Sequence, residues 1–355
     1  MGDRKMIKIL NNIEINTGIN RYLKNIPNTE IYSLVFNKNK EYLGYSIYPK
    51  IDLPYTFKIF LPKLIFDVKK LENETLLYGS LFTPIISNDI SKQYGIIHDV
   101  IPLKYENKLI QFYIKKQLEK MREFKKIITI SNYVKNQLIN KFDFDKNKIE
   151  VIYPYISLIF DVYKRSIERE LKLSDKIKIR KTIDLPIDKK IILNIANGNK
   201  NKGLNEIPFI LDYLPNDFIL IHIGNSNIIH NRVINIHNVN DFLLSLFYMA
   251  SDIFLNVSND EGFNIPNIEA QFFGLPVIAK KLIVFDEVLK DSYIPFLPLY
   301  SLGTEKYYKE WANLIIRAYD HKEKFYLKSI ENALRYNYNN FYNNWIKFEK
   351  KERLI

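Results

Sequence analysis

The sequence predicts an α/β protein of two domains. The chain has 355 residues, more than one hydrophobic core usually serves, so two domains are expected. In the second half, short apolar runs rich in β-branched residues alternate with helical patterns. This alternation favours parallel strands joined by right-handed crossovers. The unit is clearest from Ser251 to Lys280, which predicts a strand, a loop, a helix, a turn and a second strand.

The composition excludes several classes of protein and site. Hydrophobic residues make up 47% and aromatic residues 14%, enough for two cores and far from a disordered chain. There is no cysteine, so disulfides and thiolate metal sites are excluded, and the five histidines show no metal-ligand spacing. The N-terminus lacks the apolar segment of a signal peptide, and no apolar run is long enough for a transmembrane helix. We therefore expect a soluble, cytoplasmic protein without a metal site.

The net charge of +12 and the pI of about 9.3 have three interpretations. The favoured one is a lysine-rich compositional bias on solvated faces, which without cysteine also fits a thermophile. The second is attraction to anionic substrates or to an anionic membrane surface. The third is nucleic-acid binding, but no helix-turn-helix, zinc-finger or RNA-binding motif supports it. No nucleic-acid partner is therefore expected.

The first half predicts two opening strands, Met6 to Leu10 and Ile31 to Phe36, with Gly18 in a turn before a helix. Residues 41–75 are expected to be irregular because prolines interrupt any long helix. Residues 104–126 predict one long basic amphipathic helix. Such a helix suits a solvated face, the favoured interpretation, or an anionic membrane. A strand from Lys126 should follow, and Ser131 should cap the next helix.

His98 follows an apolar run that begins at Tyr94 and predicts a parallel strand. Ligands of doubly wound sheets bind at the C-terminal edge of the strands, so His98 is a candidate ligand contact. The alternative is a structural histidine that holds the loop at Asp99 by hydrogen bonds.

Two polar segments of the second half point to an anionic ligand. The loop after the predicted strand Lys190 to Ala196 combines two glycines with Lys200 and Lys202 just before a helix, a combination suited to a diphosphate. In the later segment, Asn264 should cap a helix that ends at Gly274, and Glu261 and Glu269 flank its start. A carboxylate, an anion site and a second carboxylate together can hold a sugar hydroxyl, a diphosphate and a ribose. Further strands are predicted at 218–223, 233–236 and 293–297, and helices at 241–249, 307–319 and 321–335.

The segment from Ser258 resembles the E-x7-E signature of the family 4 retaining glycosyltransferases, which have the GT-B fold. The matching residues are Ser258, Glu261, Gly262, Phe263, Pro266, Glu269, Ala270, Gly274, Pro276, Val277, Ile278 and Ala279. Three weaker similarities accompany it. The segment at Gly18 resembles the family's first loop, and H-D-x-x-P at His98 resembles its sugar-side segment. Lys202-Gly203 matches the end of its G-R-x-x-x-x-K-G loop, although Asn197 stands where the arginine is expected.

The resemblance implies two Rossmann-like doubly wound domains that face each other across a cleft, and a role for each matching residue. His98 and Glu261 would be catalytic and contact the transferred sugar. The donor phosphates would bind Lys202, Lys200, Gly18, Gly262, Phe263 and Asn264. The nucleotide ribose and base would lie near Glu269, Gly224 and Val239. The co-substrate would be a nucleotide-diphosphate sugar, with no metal and no other cofactor, and the acceptor a glycan, a lipid-linked glycan or a protein.

The resemblance also implies domain boundaries. The acceptor-side domain would cover residues 1–165, a connection 166–187, and the nucleotide-sugar domain 188–335. A final helix over 336–355 would pack on the first domain. The alternative function is a non-catalytic sugar-nucleotide or glycan-binding protein, because Asn197 departs from the pattern. A Rossmann dehydrogenase has little support, since no G-x-G-x-x-G follows a strand.

Overall fold

A computed structural model of the chain describes residues 7–13, 18–37, 39–50, 54–169 and 176–354. The chain forms two compact units. The first comprises Met1–Pro154 together with Asn339–Ile355, and the second comprises Tyr155–Tyr338.

The first unit is built on a seven-stranded sheet. Its strands are β1 (Ile7–Asn11), β2 (Thr29–Leu34), β3 (Tyr45–Ile47), β4 (Leu76–Tyr78), β5 (Tyr94–Ile97), β6 (Lys126–Thr129) and β7 (Ile149–Val151). They lie in the order β3-β2-β1-β4-β5-β6-β7, and all adjacent pairs are parallel. Its helices before residue 150 are α1 (Gly18–Leu23), α2 (Tyr55–Phe60), α3 (Pro62–Ile65), α4 (Pro102–Tyr105), α5 (Lys108–Met121) and α6 (Asn132–Phe142). Buried Ile97 and Ile127 of the sheet belong to one core with Ile114 and Leu118 of α5.

The second unit is built on a six-stranded sheet. Its strands are β8 (Lys190–Ile195), β9 (Phe218–Ile223), β10 (Val233–Ile236), β11 (Ile253–Asn256), β12 (Val277–Lys280) and β13 (Ile294–Phe296). They lie in the order β10-β9-β8-β11-β12-β13, again all parallel. Its helices are α7 (Leu158–Arg169), α8 (Lys176–Thr182), α9 (Ile207–Asp212), α10 (Asp241–Ala250), α11 (Ile265–Phe272), α12 (Ile283–Val288), α13 (Glu305–Asp320) and α14 (Glu323–Leu334). The α/β class with parallel sheets is therefore confirmed.

The last helix, α15 (Tyr338–Glu352), packs within the first unit. Trp345 is fully buried, and its ring centroid lies 6.2 Å from that of Tyr22. The ring of Phe348 lies edge-on to Tyr94 of β5, 5.9 Å away. Aromatic burial thus attaches the tail to the sheet of the first unit. Within the described ranges, no helix is both long enough and apolar enough to cross a bilayer.

Two predictions for the first unit need correction. Within 41–75 the described residues contain three short elements, β3, α2 and α3, although no long helix forms there, as the prolines predicted. Pro62 lies in the first turn of α3, where its missing N–H costs nothing. The single helix predicted over 104–126 is two helices, because Asn107 caps α5. Its Oδ1 accepts a hydrogen bond from the N–H of Ile110 at 3.0 Å. The cap predicted at Ser131 is confirmed, since its hydroxyl accepts from the N–H of Val134.

Candidate functional site

The candidate site lies at the C-terminal edge of the second sheet, where the strand order reverses. Strand β8 has β9 on one side and β11 on the other, so the connections after β8 and β11 leave in opposite directions. In open parallel sheets, ligands bind in the crevice at such a point. The cationic loop follows β8 and the loop of Glu261 follows β11. The two segments singled out in the sequence therefore meet at one place.

Lys202 and Glu261 form an ion pair at this edge. Nζ of Lys202 lies 2.7 Å from Oε1 of Glu261, whose side chain is only 6% exposed. The amide of Asn264 donates a second hydrogen bond to the same oxygen, also at 2.7 Å. Hydrogen bonds to ionised groups are stronger than neutral ones, so both side chains are oriented before any ligand arrives.

Two hydrogen bonds of Asn201 join the cationic loop to the loop after β11. The side-chain amide of Asn201 donates to the carbonyl of Asp260 at 3.0 Å, and the N–H of Asn259 donates to the carbonyl of Asn201 at 2.7 Å. Lys200 in the same loop is exposed, and no described residue forms an ion pair with it. Its charge is therefore available to an anion. Asn197 uses its side chain within the loop, where Oδ1 accepts from the N–H of Asn199.

A buried network behind these loops was missed by the sequence analysis. Glu206 is 1% exposed and accepts hydrogen bonds from Nζ of Lys280 and, at 2.7 Å, from the hydroxyl of Tyr307. Lys280 also donates to Oδ1 of Asn259 at 2.7 Å, and burial lowers its pKa. Through Asn259, this network supports the loop that carries Glu261. The sequence did carry a signal for this network: Lys280 directly follows a predicted apolar strand, at the same sheet edge as the two loops.

The start of α11 adjoins the ion pair. Asn264 has a left-handed backbone (φ 71°), and its Oδ1 accepts from the N–H of Asn267 at 3.1 Å, so the predicted cap is confirmed. Gly262 and Phe263 are buried immediately before it, and the ring of Phe263 lies edge-on to Tyr336. One side-chain amide thus holds both the helix start and Glu261. The positive end of the helix dipole is placed beside that carboxylate.

Glu269, on the second turn of α11, is held by a tyrosine that the sequence did not reveal. The hydroxyl of Tyr248 in α10 donates to Oε2 of Glu269 at 2.9 Å, and Glu269 is 2% exposed. The ring of Tyr248 stacks on Phe273 at 5.1 Å. The direction of this carboxylate is therefore set by packing between α10 and α11.

Gly224 and Val239 lie at the same sheet edge. Gly224 follows β9, and its N–H donates to the carbonyl of Ile236 at 3.1 Å. Val239 follows β10 and is half-buried. All the candidate donor residues of the second unit thus lie in the loops that follow four adjacent strands or, for Glu269, in the helix after one of these loops. Among the described residues, no group of three or more acidic or histidine side chains is arranged to hold a metal ion.

The first unit contains two further candidate residues, Gly18 and His98. Gly18 begins α1, and residues 14–17 before it lie outside the described ranges, so its phosphate role stays a prediction. His98 directly follows β5, and its Nε2 lies 3.1 Å from the carbonyl oxygen of Gly79. Asp99 accepts instead from the N–H of Ile101, so His98 bonds to a neighbouring strand end rather than to its own loop. Burial lowers the pKa of His98 to about 4, and its imidazole is therefore neutral at pH 7.

The depressed pKa of His98 predicts a pH dependence of stability. A histidine that titrates at about 4 when folded and near 6.5 when unfolded favours folding only while it is neutral. This contribution is complete above about pH 6.5 and is lost as the pH falls through 4. It corresponds to about 3 kcal/mol. Urea denaturation at pH 7 and pH 4.5 should show a smaller pH-dependent loss for His98→Gln than for the wild type. His321→Gln, at an exposed histidine, is the control, and equal pH dependence of all three proteins would contradict the prediction.

Residues 175–335, which include all six strands of the second sheet, match the family described as Glycosyl transferases group 1. In this segment the chain is similar to the group 1 glycosyltransferases. The matched segment contains the loops of Lys202 and Glu261. The resemblance to glycosyltransferases seen in the sequence is therefore confirmed for the broader group 1.

Two relatives and a solved structure are also similar to this chain. The O-antigen chain mannosyltransferase RfbU of Salmonella typhimurium is 26% identical over 253 residues, which cover 69% of this chain and 65% of RfbU. The chain thus matches less than two thirds of that protein's length. A glycosyltransferase of Methanocaldococcus jannaschii, MJ1607, is 25% identical over 179 residues, 46% of this chain and 44% of MJ1607. The structure of Anabaena HepE with UDP and glucose has a TM-score of 0.74 at 15% identity and covers 97% of this chain and 100% of HepE. At that identity the similarity shows the fold alone, which is GT-B.

Gly203, in the matched segment, is a position at which one added methyl group should have a large effect. Its φ is +65°, and an added Cβ would lie 2.3 Å from the carbonyl oxygen of Val257. Gly203→Ala should therefore displace the cationic loop and lower the free energy of unfolding. Gly303→Ala is the matched control, since Gly303 also has a positive φ but no atom within 4 Å of an added Cβ. Denaturant titration should show a loss of about 1–2 kcal/mol for the control and at least about 1 kcal/mol more for Gly203→Ala. Equal losses of stability in the two variants would mean that the close approach to Val257 does not affect the free energy of unfolding.

Proposed function

We propose that the protein moves a hexose from a nucleotide-diphosphate sugar to an acceptor with retention of configuration, as family 4 glycosyltransferases do. The observation that carries this proposal is the ion pair of Lys202 with Glu261 at the switch point of the second sheet. It places a cation suited to phosphate beside a carboxylate suited to sugar hydroxyls.

The donor diphosphate is proposed to bind Lys202, Lys200 and the backbone from Gly262 to Asn264. When the bond between the anomeric carbon and the diphosphate breaks, negative charge grows on the departing group. Oriented cations and a helix N-terminus stabilise that charge without reorganising, a contribution that is often the largest in catalysis. In this proposal the protein's own cations fill the role that a metal ion has in other enzymes.

The sugar and the nucleoside are assigned to the two carboxylates. Glu261, fixed by Lys202 and Asn264, would orient sugar hydroxyls as positive charge develops on the ring. Glu269, oriented by Tyr248, would accept from the ribose, with the base near Gly224 and Val239. The acceptor oxygen would attack from the face that the diphosphate leaves and pass its proton to the departing phosphate, so the configuration is retained. The sugar contact of His98 rests on the resemblance and stays a prediction.

A donor screen tests the proposal. UDP-glucose, named with HepE, and mannosyl donors, suggested by the name of RfbU, are the first candidates among UDP-, GDP- and ADP-sugars. A bound donor raises the melting temperature because it stabilises only the folded state. The anomeric configuration of the product, read by NMR, then tests retention. No donor binding, or binding that survives removal of Lys202 and Glu261, would contradict the assignment.

The second candidate is a sugar-nucleotide or glycan-binding protein without transferase activity. The observation in its favour is Asn197, which occupies the family's arginine position and bonds within its own loop instead of offering a cation. Such a protein would bind the donor but neither hydrolyse nor transfer the sugar. Release of nucleotide diphosphate under saturating donor and acceptor separates the two candidates.

We further propose that the first unit contacts an anionic membrane, as would suit a lipid-linked acceptor. On α5, Leu109 and Phe112 are about half exposed. Exposed apolar side chains of the two preceding helices are Phe60 of α2, whose ring lies 5.4 Å from that of Tyr113 of α5, and Leu64 of α3. Exposed lysines accompany Leu109 and Phe112 along α5; they are Lys108, Lys115, Lys116 and Lys120. An apolar patch bordered by cations fits the headgroup region of an anionic bilayer.

Vesicle flotation tests this contact. The wild type should float with phosphatidylserine-containing vesicles at low salt, and the double variant Leu109→Ser/Phe112→Ser should bind at least about tenfold more weakly. Leu327→Ser/Leu334→Ser, at exposed leucines of α14 in the second unit, is the matched control. Equal flotation of all three proteins, or none of the wild type, would refute the membrane contact.

A further inference from the structure

A cavity of about 250 Å³ lies at the opposite, N-terminal edge of the second sheet. Ser251 and Asp252, which precede β11, and Pro276, which precedes β12, line it together with the start of α14. None of the residues assigned to the donor lines this cavity.

The cavity has a surplus of positive charge. The carboxylate of Asp252 is shared by three cations: Arg180 at 2.7 Å, Lys176 at 3.0 Å and Lys322 at 3.5 Å. Lys176 and Lys322 both line the cavity, and Lys164 lines it as well. Apart from Asp252, the acidic side chain among the described lining residues is the exposed Glu323. In the described part of the wall, three lysines therefore face two carboxylates, and Arg180 pairs with Asp252 from outside the lining.

The charge of Lys176 is not fully compensated by Asp252. Besides the ion pair, its ammonium donates to the carbonyl of Ser251 at 2.6 Å, yet burial still lowers its pKa. The side chain of Lys176 is 38% exposed and shares its carboxylate with two other cations, so a further anion in the cavity can reach it and add to the compensation of its charge. Glu323, the first residue of α14, lies at the wall of the cavity next to Lys322.

We propose that this cavity binds a phosphate group, with Lys176 and Lys322 as its cations. At about 250 Å³ the cavity has more room than a single oxyanion needs. Phe273 and Tyr326 supply aromatic walls beside the lysines. The ligand class is therefore a small phosphorylated compound, of which inorganic phosphate is the minimal member.

Isothermal titration with inorganic phosphate and, separately, with glucose 6-phosphate tests the proposal at constant ionic strength. Both should bind the wild type, and Lys322→Gln should weaken binding about tenfold or more, the expected loss of one charged hydrogen bond. Lys324→Gln removes an exposed charge two residues further along the chain and should have no effect. Lys202→Met should also leave this binding unchanged. Tighter binding of glucose 6-phosphate would identify a phosphorylated metabolite as the ligand, and binding of inorganic phosphate alone would identify the free oxyanion.

Three results would overturn the site. They are no binding of either compound, equal weakening by Lys322→Gln and Lys324→Gln, and loss of all binding in Lys202→Met. The last would place the phosphate at the proposed donor site instead. Lys176→Gln provides a second test from a different helix, with its melting curve measured to show that it is folded.

Discussion

Replacing Glu261 by glutamine is expected to lower kcat for sugar transfer by about 10²–10³-fold, the cost of losing one preorganised group at a reacting centre. The variant keeps the shape of the side chain but loses the charge that pairs with Lys202 and accepts from Asn264. The amide can no longer present the same oxygen to both donors and to a sugar hydroxyl. Steady-state kinetics with the donor found in the screen would measure the effect.

A matched control is Glu305→Gln, at an exposed glutamate of α13 that pairs with Lys309. It makes the same chemical change in the same unit and should leave kcat and KM unaltered. The melting curve of Glu305→Gln should stay close to the wild type, whereas Glu261→Gln should melt somewhat lower because Lys202 loses its partner, so kinetics are measured well below both transitions. Near-normal turnover of Glu261→Gln would remove this carboxylate from the mechanism.

Replacing Lys202 by methionine is expected to lower kcat/KM for the donor by about 10²–10³-fold. Methionine retains much of the apolar stem but removes the ammonium, so the diphosphate loses its oriented cation and Glu261 loses its partner. The loss should appear in both donor affinity and kcat, because the charge on the leaving group grows in the transition state.

Lys200→Met separates this local role from general attraction. Lys200 is exposed in the same loop. If its charge replaces that of the missing arginine, removing it should also weaken donor binding. We expect a smaller loss that shrinks as salt is added, because an exposed charge is screened. Donor affinity unchanged in Lys200→Met would rule out compensation for Asn197, and an unchanged Lys202→Met would rule out the phosphate site.

Part of the site could be predicted because its signals are local. A cap such as Asn264 acts on backbone three residues away, and the alternation of strands and helices is visible within windows of about ten residues. Lys202, Glu261 and Gly224 lie in loops that each follow a predicted parallel strand, and the carboxyl ends of parallel strands share one edge of a sheet. The corrections in the first unit also concern local signals, because Pro62 and Asn107 were not recognised as helix starts.

The sequence by itself thus determined the α/β class, the parallel order of the second half and the identity of the polar loops, because periodicity, caps and strand ends depend on neighbouring residues. Only the tertiary structure decided which side chains touch. The pairs Lys202–Glu261, Lys280–Glu206 and Tyr248–Glu269 join residues 59, 74 and 21 positions apart. The same holds for the shared carboxylate of Asp252, since its cations come from α8 and the start of α14. Such contacts depend on how helices pack on the sheet, and no local pattern in the chain encodes that distance.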